Sequence, residues 1–161
     1  MQSTPKGHKA PPRGRTGAAQ TTRMKMSIGW IRPLVAGLLL FGVPGAFTPT
    51  CSAKHLPGFV QHADALKAKG VDTIACLSVN DPFVMGAWGA DQNVGDAVTM
   101  LADGSANFTK AAGLELDLTD RGLGLRCQRF AMIVEDGTVK SIHIDEGTFE
   151  KTSAETMLGE L

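Results

Sequence analysis

The chain has 161 residues, 43% hydrophobic and 20% charged, the size and make-up of one globular domain with an ordinary core. Its net charge of zero hides a segregation: all sixteen acidic residues fall from Asp64 onward, against eight Lys and Arg, while residues 1–33 carry only basic charge. An acidic domain excludes nucleic-acid binding through a basic face, and three cysteines without framework or ligand spacing exclude a disulfide scaffold and a structural zinc site.

Residues 1–33 are rich in Gly, Pro, Thr and basic side chains and lack core periodicity. They read equally as an organellar transit-like leader or as a disordered tail, with the folded domain expected over 34–161. The compartment expected is intracellular, a mitochondrion or plastid if the leader is a transit segment and the cytoplasm otherwise. The stretch from Ile28 to Phe47 is apolar, but Arg32, Pro33 and several glycines interrupt the run of about 20 residues a membrane span needs. No membrane association is expected.

Leu34 to Val43 is a continuous apolar run, suited to a strand covered on both faces. A helix follows from Pro49 to about Lys69, with Leu56, Phe59, Val60, Ala63 and Leu66 on one side, a kink at Pro57 and Gly70 at its end. Val71 to Val79 is a second buried strand, and Asp81-Pro82 opens a helix through Trp88. Ala97 to Ala102 is a short strand and Ser105 to Ala112 a short helix. Arg126 to Glu135 and Thr138 to Asp145 flank Asp136-Gly137, a hairpin signal, and Thr152-x-x-Glu155 is a capping box for a last helix ending at Leu161. Alternating strands and helices of this kind define an α/β layered domain.

The stretch Pro44-Gly45-Ala46-Phe47-Thr48-Pro49-Thr50-Cys51 stands where the first strand gives way to the first helix. With Thr48 as N-cap, Pro49 is N1, Thr50 N2 and Cys51 N3. A thiol among the unpaired N–H groups of a helix start meets the positive end of the dipole, which favours the nucleophilic thiolate. Two readings stand at this point: a reactive thiol, or a small core cysteine beside a turn.

Pro44-x-x-x-Thr48-x-x-Cys51 resembles the peroxidatic signature of peroxiredoxins. Within the run Phe41 to Phe59 the chain is similar to the type II, peroxiredoxin-5-like subfamily, nearest its plant- and bacterial-type glutaredoxin-dependent group. The likeness extends from about Leu38 to the C-terminus, through Leu77-Ser78-Val79-Asn80-Asp81, Leu101-Ala102-Asp103-Gly104 and Arg129-Phe130. It implies a thioredoxin fold of the peroxiredoxin type. The family carries further strands before Phe41, and the basic leader does not resemble them, so this chain is expected to lack them.

The resemblance also implies a thiol peroxidase for hydrogen peroxide and small alkyl hydroperoxides, with no metal, haem or flavin. Cys51 would attack the peroxide and become a sulfenic acid. Thr48 would hydrogen-bond thiolate or peroxide, Pro44 would shape the pocket, and Arg129 would stabilise the thiolate and the departing oxygen. Cys76 reads as a buried strand cysteine by composition, and the resemblance makes it a candidate resolving thiol. The alternative resolver is an external thiol, from glutathione, glutaredoxin or thioredoxin.

Cys127 stands where the family usually has serine, two residues before Arg129, and is a candidate auxiliary or glutathionylated thiol. Arg126 is placed on the strand face opposite Arg129. His55 is read as solvated and without a catalytic role. The family's dimers make Phe47 and Phe83 candidate contacts of a homodimer. The contrasting function is a redox sensor or an inactive variant on the same fold.

Overall fold

The computed structural model describes residues 37–161. The leader expected over 1–33, and the question of strands upstream of Phe41, lie outside the described residues. Chain order is β1 (Leu38–Gly42), a π-helical turn (Cys51–His55), α1 (Leu56–Gln61), α2 (Ala63–Ala68), β2 (Thr73–Ser78), α3 (Pro82–Asp91) and β3 (Thr99–Ala102). It continues through α4 (Asn107–Ala111), β4 (Glu115–Leu118), a 3₁₀ turn (Thr119–Arg121), β5 (Gly124–Cys127), β6 (Arg129–Glu135), β7 (Thr138–Asp145) and α5 (Ala154–Glu160).

Five strands form one mixed sheet in the order β3-β2-β1-β6-β7, and β4 pairs with β5 in a small separate sheet. Strands β1, β2 and β3 run parallel, while β6 is antiparallel to both β1 and β7. This is the thioredoxin fold.

The central strand β1 explains its own sequence. Alternate residues point to opposite faces, so Leu39 and Phe41 enter a core with Phe59, Leu66 and Trp88, while Leu40 enters a second core with Phe130 and Met132. Both faces are covered, and a continuous apolar run is the consequence. Phe41 stacks on Phe59 with ring centroids 4.0 Å apart, which fastens α1 to the sheet. Gly42 has a packing reason: a Cβ there would lie 2.0 Å from the Phe130 ring on the neighbouring strand.

Several local expectations need correction. The first helix is not one α-helix from Pro49 to Lys69. It begins at Pro49, opens into the π turn in which Leu56 N donates to Cys51 O, and breaks at His62 between α1 and α2. The widened turn directly precedes Pro57, which lacks the N–H for Ala53 O and whose ring crowds that carbonyl in tight α geometry. Gly70 does follow α2, in the left-handed region at φ 108°.

The strand expected over Arg126 to Glu135 is split at Gln128, whose N–H goes to Leu114 O at 2.8 Å. Residues before the split pair with β4, and those after it join the main sheet, so strand alternation does not carry from Cys127 to Arg129. The Asp136-Gly137 hairpin forms, with both residues at positive φ. It pairs Glu135 with Thr138 and then takes an irregularity at Ile133/Val134.

The last helix is capped by Ser153, whose Oγ accepts from Thr156 N at 3.1 Å. Thr152, the expected cap, is buried and gives its hydroxyl proton to Asp145 instead. A carboxylate at the inner end of β7 takes that donor first.

His55, expected to be solvated, is buried.

Candidate active site

Val43, the residue after β1, hands the chain into the Pro44–Cys51 turn, and that turn is clamped from two sides. Cys127 Sγ donates to Val43 O at 3.1 Å. Ser78 Oγ lies 3.1 Å from the same carbonyl and 2.7 Å from Asn80 Oδ1, which also accepts from Ala46 N at 3.1 Å. The turn therefore sits against the ends of β2 and β5. Phe47 within it has φ 61° and an exposed ring, a strained backbone state for a bulky residue.

Thr48 opens the helix with its carbonyl, which accepts from Ser52 N at 2.9 Å. Its side chain does not cap: Oγ1 donates to Gly45 O at 2.7 Å. That bond occupies the one hydroxyl proton and leaves the oxygen lone pairs as acceptors. Cys51 follows in the first turn, only 1% exposed.

Arg129 is the first residue of β6 and is nearly buried. Its Nη2 donates to Cys51 Sγ at 3.4 Å and its Nη1 to His55 Nδ1 at 2.8 Å. His55 Nε2 is 2.9 Å from Thr152 O. A carbonyl only accepts, so Nε2 carries the proton, and Nδ1 is free to accept from the guanidinium. Burial, and then the adjacent Arg129 charge, lower the His55 pKa to about 3, so the ring is neutral. The expectation of a solvated His55 is thus overturned: it is completely buried and holds the guanidinium.

Around these groups stand Asp145 and Phe149. Asp145 pairs with Arg129 in the β6/β7 register, yet its oxygens accept from Glu150 N, Lys151 N, Thr152 N and Thr152 Oγ1. Burial alone would raise the Asp145 carboxyl, but these bonds outweigh it and hold the pKa below the usual value. Among the described residues no carboxylate ion-pairs with Arg129. The Phe149 ring covers the guanidinium at 5.7 Å and tilts against His55 at 5.0 Å.

A cleft of about 870 Å³ opens over Cys51 and is lined in part by Pro44, Thr48, Arg129, Lys54, Arg121 and Phe149. Pro44, Thr48, Cys51 and Arg129 are thereby brought together from two elements far apart in the chain. Arg126 is turned elsewhere, to Val79 O at 3.1 Å and Leu123 O at 2.8 Å.

Cys76 and Cys127 do not line the cleft. Both are fully buried free thiols. Burial first, and then the Cys127 and Cys51 thiols, push the Cys76 pKa well up, and burial pushes Cys127 up to about 12. His55, Asp145, Phe149 and Thr152 are the site residues that sequence reasoning missed. The only signal was the position of His55 four residues after Cys51, on its helix face.

A helix-opening thiol beside a guanidinium that has no carboxylate partner among the described residues, on a thioredoxin sheet, defines a thiol-based redox protein. The Redoxin family model matches residues 35–158. The chain is 53% identical over 133 residues to Peroxiredoxin-2E, chloroplastic, of Arabidopsis thaliana, covering 80% of this chain and 57% of that protein. It is 52% identical over 131 residues to Peroxiredoxin-2B of the same plant, covering 80% and 81%. Reduced Prx3 of Vibrio vulnificus in complex with hydrogen peroxide superposes with a TM-score of 0.76 at 55% identity, covering 79% and 82%. The chain belongs to the Redoxin family and, within it, to the peroxiredoxins. It spans less than two thirds of the length of the chloroplastic relative.

Proposed function

We propose that the protein is a thiol peroxidase acting on hydrogen peroxide and small organic hydroperoxides through Cys51. The observation that carries this is the Arg129 guanidinium, nearly buried, 3.4 Å from Cys51 Sγ and without a carboxylate partner among the described residues. A buried cation of this kind needs an anion, and the thiolate supplies it. The Cys51 thiolate attacks one peroxide oxygen, the O–O bond breaks with its electron pair, and Cys51 becomes a sulfenic acid. The leaving oxygen departs as hydroxide or alkoxide and is protonated to water or an alcohol. Arg129 stabilises the charge as it moves from sulfur to oxygen. Thr48 Oγ1, its proton committed to Gly45, accepts from the peroxide O–H and orients it. Pro44 walls the cleft without adding an N–H that would compete.

Recycling consumes two thiol equivalents: one condenses with the sulfenic acid and releases water, and a second reduces the disulfide. Glutathione with glutaredoxin, or thioredoxin, is the reductant class we favour. Burial of Cys76 supports an external first thiol, because bridging Cys51 to Cys76 requires a Cα separation of about 4.4–6.8 Å and opening of the π turn. The same burial weighs against Cys127 as an auxiliary thiol. Phe47 and the 87%-exposed Phe83 support a homodimer joined near the cleft. The basic leader and the chloroplastic relative support a mitochondrial or plastid location.

The test is peroxide consumption by wild type and Cys51→Ser with dithiothreitol, glutathione–glutaredoxin and thioredoxin as reductants. Wild type should turn over with at least one of them and the variant with none. Equal rates for the two proteins would end the peroxidase reading.

A further inference from the structure

We propose that Asp145 is a positioning residue for Arg129, acting at a distance through the loop it ties together and through His55; this rests on the peroxidase reading above. The β6/β7 register sets Asp145 directly across from Arg129, where a salt bridge would be the expected arrangement. The carboxylate makes no ion pair with it. Oδ2 accepts from Glu150 N at 3.0 Å, Thr152 N at 3.0 Å and Thr152 Oγ1 at 2.8 Å, and Oδ1 accepts from Lys151 N at 3.1 Å. These bonds close the segment from Asp145 to Thr152 into a fixed loop.

The loop then does two things to the guanidinium. Thr152, fully buried, presents its carbonyl to His55 Nε2 at 2.9 Å, which sets the tautomer whose Nδ1 accepts from Arg129. Phe149, on the same loop, walls both the imidazole and the guanidinium. With Nη1 held by His55, Nη2 is left aimed at Cys51. A carboxylate saturated by loop donors also leaves the Arg129 charge without a carboxylate partner among the described residues and available to the departing oxygen. Asp145, itself in the wall of the cleft, therefore controls the direction and the availability of that charge through the loop and His55.

A double-mutant cycle on the full chain tests this. The quantity read is the second-order rate constant for oxidation of Cys51 by hydrogen peroxide, in wild type, Asp145→Asn, Arg129→Lys and the double variant. Alkylation of Cys51 by iodoacetamide and far-UV circular dichroism are followed alongside. Asp145→Asn should slow peroxide oxidation by about tenfold, as sub-ångström misplacement of a reacting group does, while alkylation changes by less than about threefold. In the Arg129→Lys background the same change should cost less than about twofold.

Equal losses in the two backgrounds, parallel loss of alkylation, or no loss at all would overturn the proposal. Should Asp145→Asn not fold, Thr152→Val removes one donor from Oδ2 at nearly constant shape. It should show a smaller loss that likewise vanishes beside Arg129→Lys, and an undiminished loss there would be equally fatal. Wild type that peroxide does not oxidise at Cys51 would instead sink the peroxidase reading itself, a separate outcome of the same experiment.

Discussion

Arg129 donates its Nη1 proton to His55 Nδ1 at 2.8 Å, and that bond exists only while the imidazole is neutral. A histidine in an acidic domain would ordinarily gain a proton below neutrality. This one is kept from doing so by burial and by the guanidinium beside it.

Stability should therefore rise with pH through a defined window. The folded-state pKa of His55, about 3, lies below the 6.5 of a free histidine, so between these values the unfolded chain binds a proton that the folded chain does not. The His55 contribution is fully present above pH 6.5 and is lost as pH falls from there toward about 3, with a slope of up to about 1.4 kcal/mol per pH unit. Asp145 and Asp103, whose carboxyls are held below 3.8, add acid sensitivity only at the lower end of that window. Urea midpoints at pH 7 and pH 5 should differ in wild type and converge in His55→Gln, an uncharged side chain. A pH-independent wild-type midpoint over that interval would contradict the buried, neutral ring.

Arg129→Lys should lower the rate of Cys51 oxidation by peroxide by about 10²-fold with the fold intact. An ammonium is a point donor on a flexible stem and cannot hold His55 and the sulfur in one planar fork. Stopped-flow single-turnover oxidation with hydrogen peroxide measures the loss. A rate within about threefold of wild type would mean that charge alone, and not the forked geometry, matters here.

Native labelling should distinguish the three cysteines. Cys51 is only 1% exposed but lines an open cleft, whereas Cys76 and Cys127 are fully buried away from it with raised pKa values. Iodoacetamide at pH 8, read by mass spectrometry, should modify Cys51 and leave the other two intact until urea is added. Cys127→Ser should keep the donor to Val43 O and change peroxide oxidation little, while Cys127→Ala should cost about 1 kcal/mol of stability by removing it. Rapid native modification of Cys127 would revive it as a redox thiol.

Gly42→Ala should destabilise the protein by about 1–3 kcal/mol through overpacking, since the added methyl would meet the Phe130 ring. Phe130→Leu in the same chain should recover part of the loss. Thermal melts of the two single variants and the double would show it, and purely additive destabilisation would remove the packing explanation.

Local order was readable where one chemical rule dominates. The apolar β1, the Asp136-Gly137 turn with both residues at positive φ, and Gly70 after α2 each follow from a short-range preference. Reading failed where a distant group outbid the local one. Thr152 looks like an N-cap until Asp145 claims its hydroxyl, and Ser153 then takes the role. Arg126 to Glu135 reads as one strand until Gln128 bonds to Leu114 and divides it. Hairpin counting alone would set Arg129 opposite Ile144, and the irregularity at Ile133/Val134 moves it to Asp145.

By itself the sequence determined an α/β domain with a thiol at a helix start, because strand alternation, capping and turn chemistry act over a few residues. Only the tertiary structure decided what holds the groups around that thiol in place. Arg129, 78 positions from Cys51, was implied by the family resemblance and by no local pattern, and the bond between His55 and Thr152, 97 positions apart, was legible in neither. The neutral His55 is the clearest instance. Its charge state is set by desolvation and by a guanidinium, and both exist only once the sheet, the loop after β7 and the widened helical turn have closed around it.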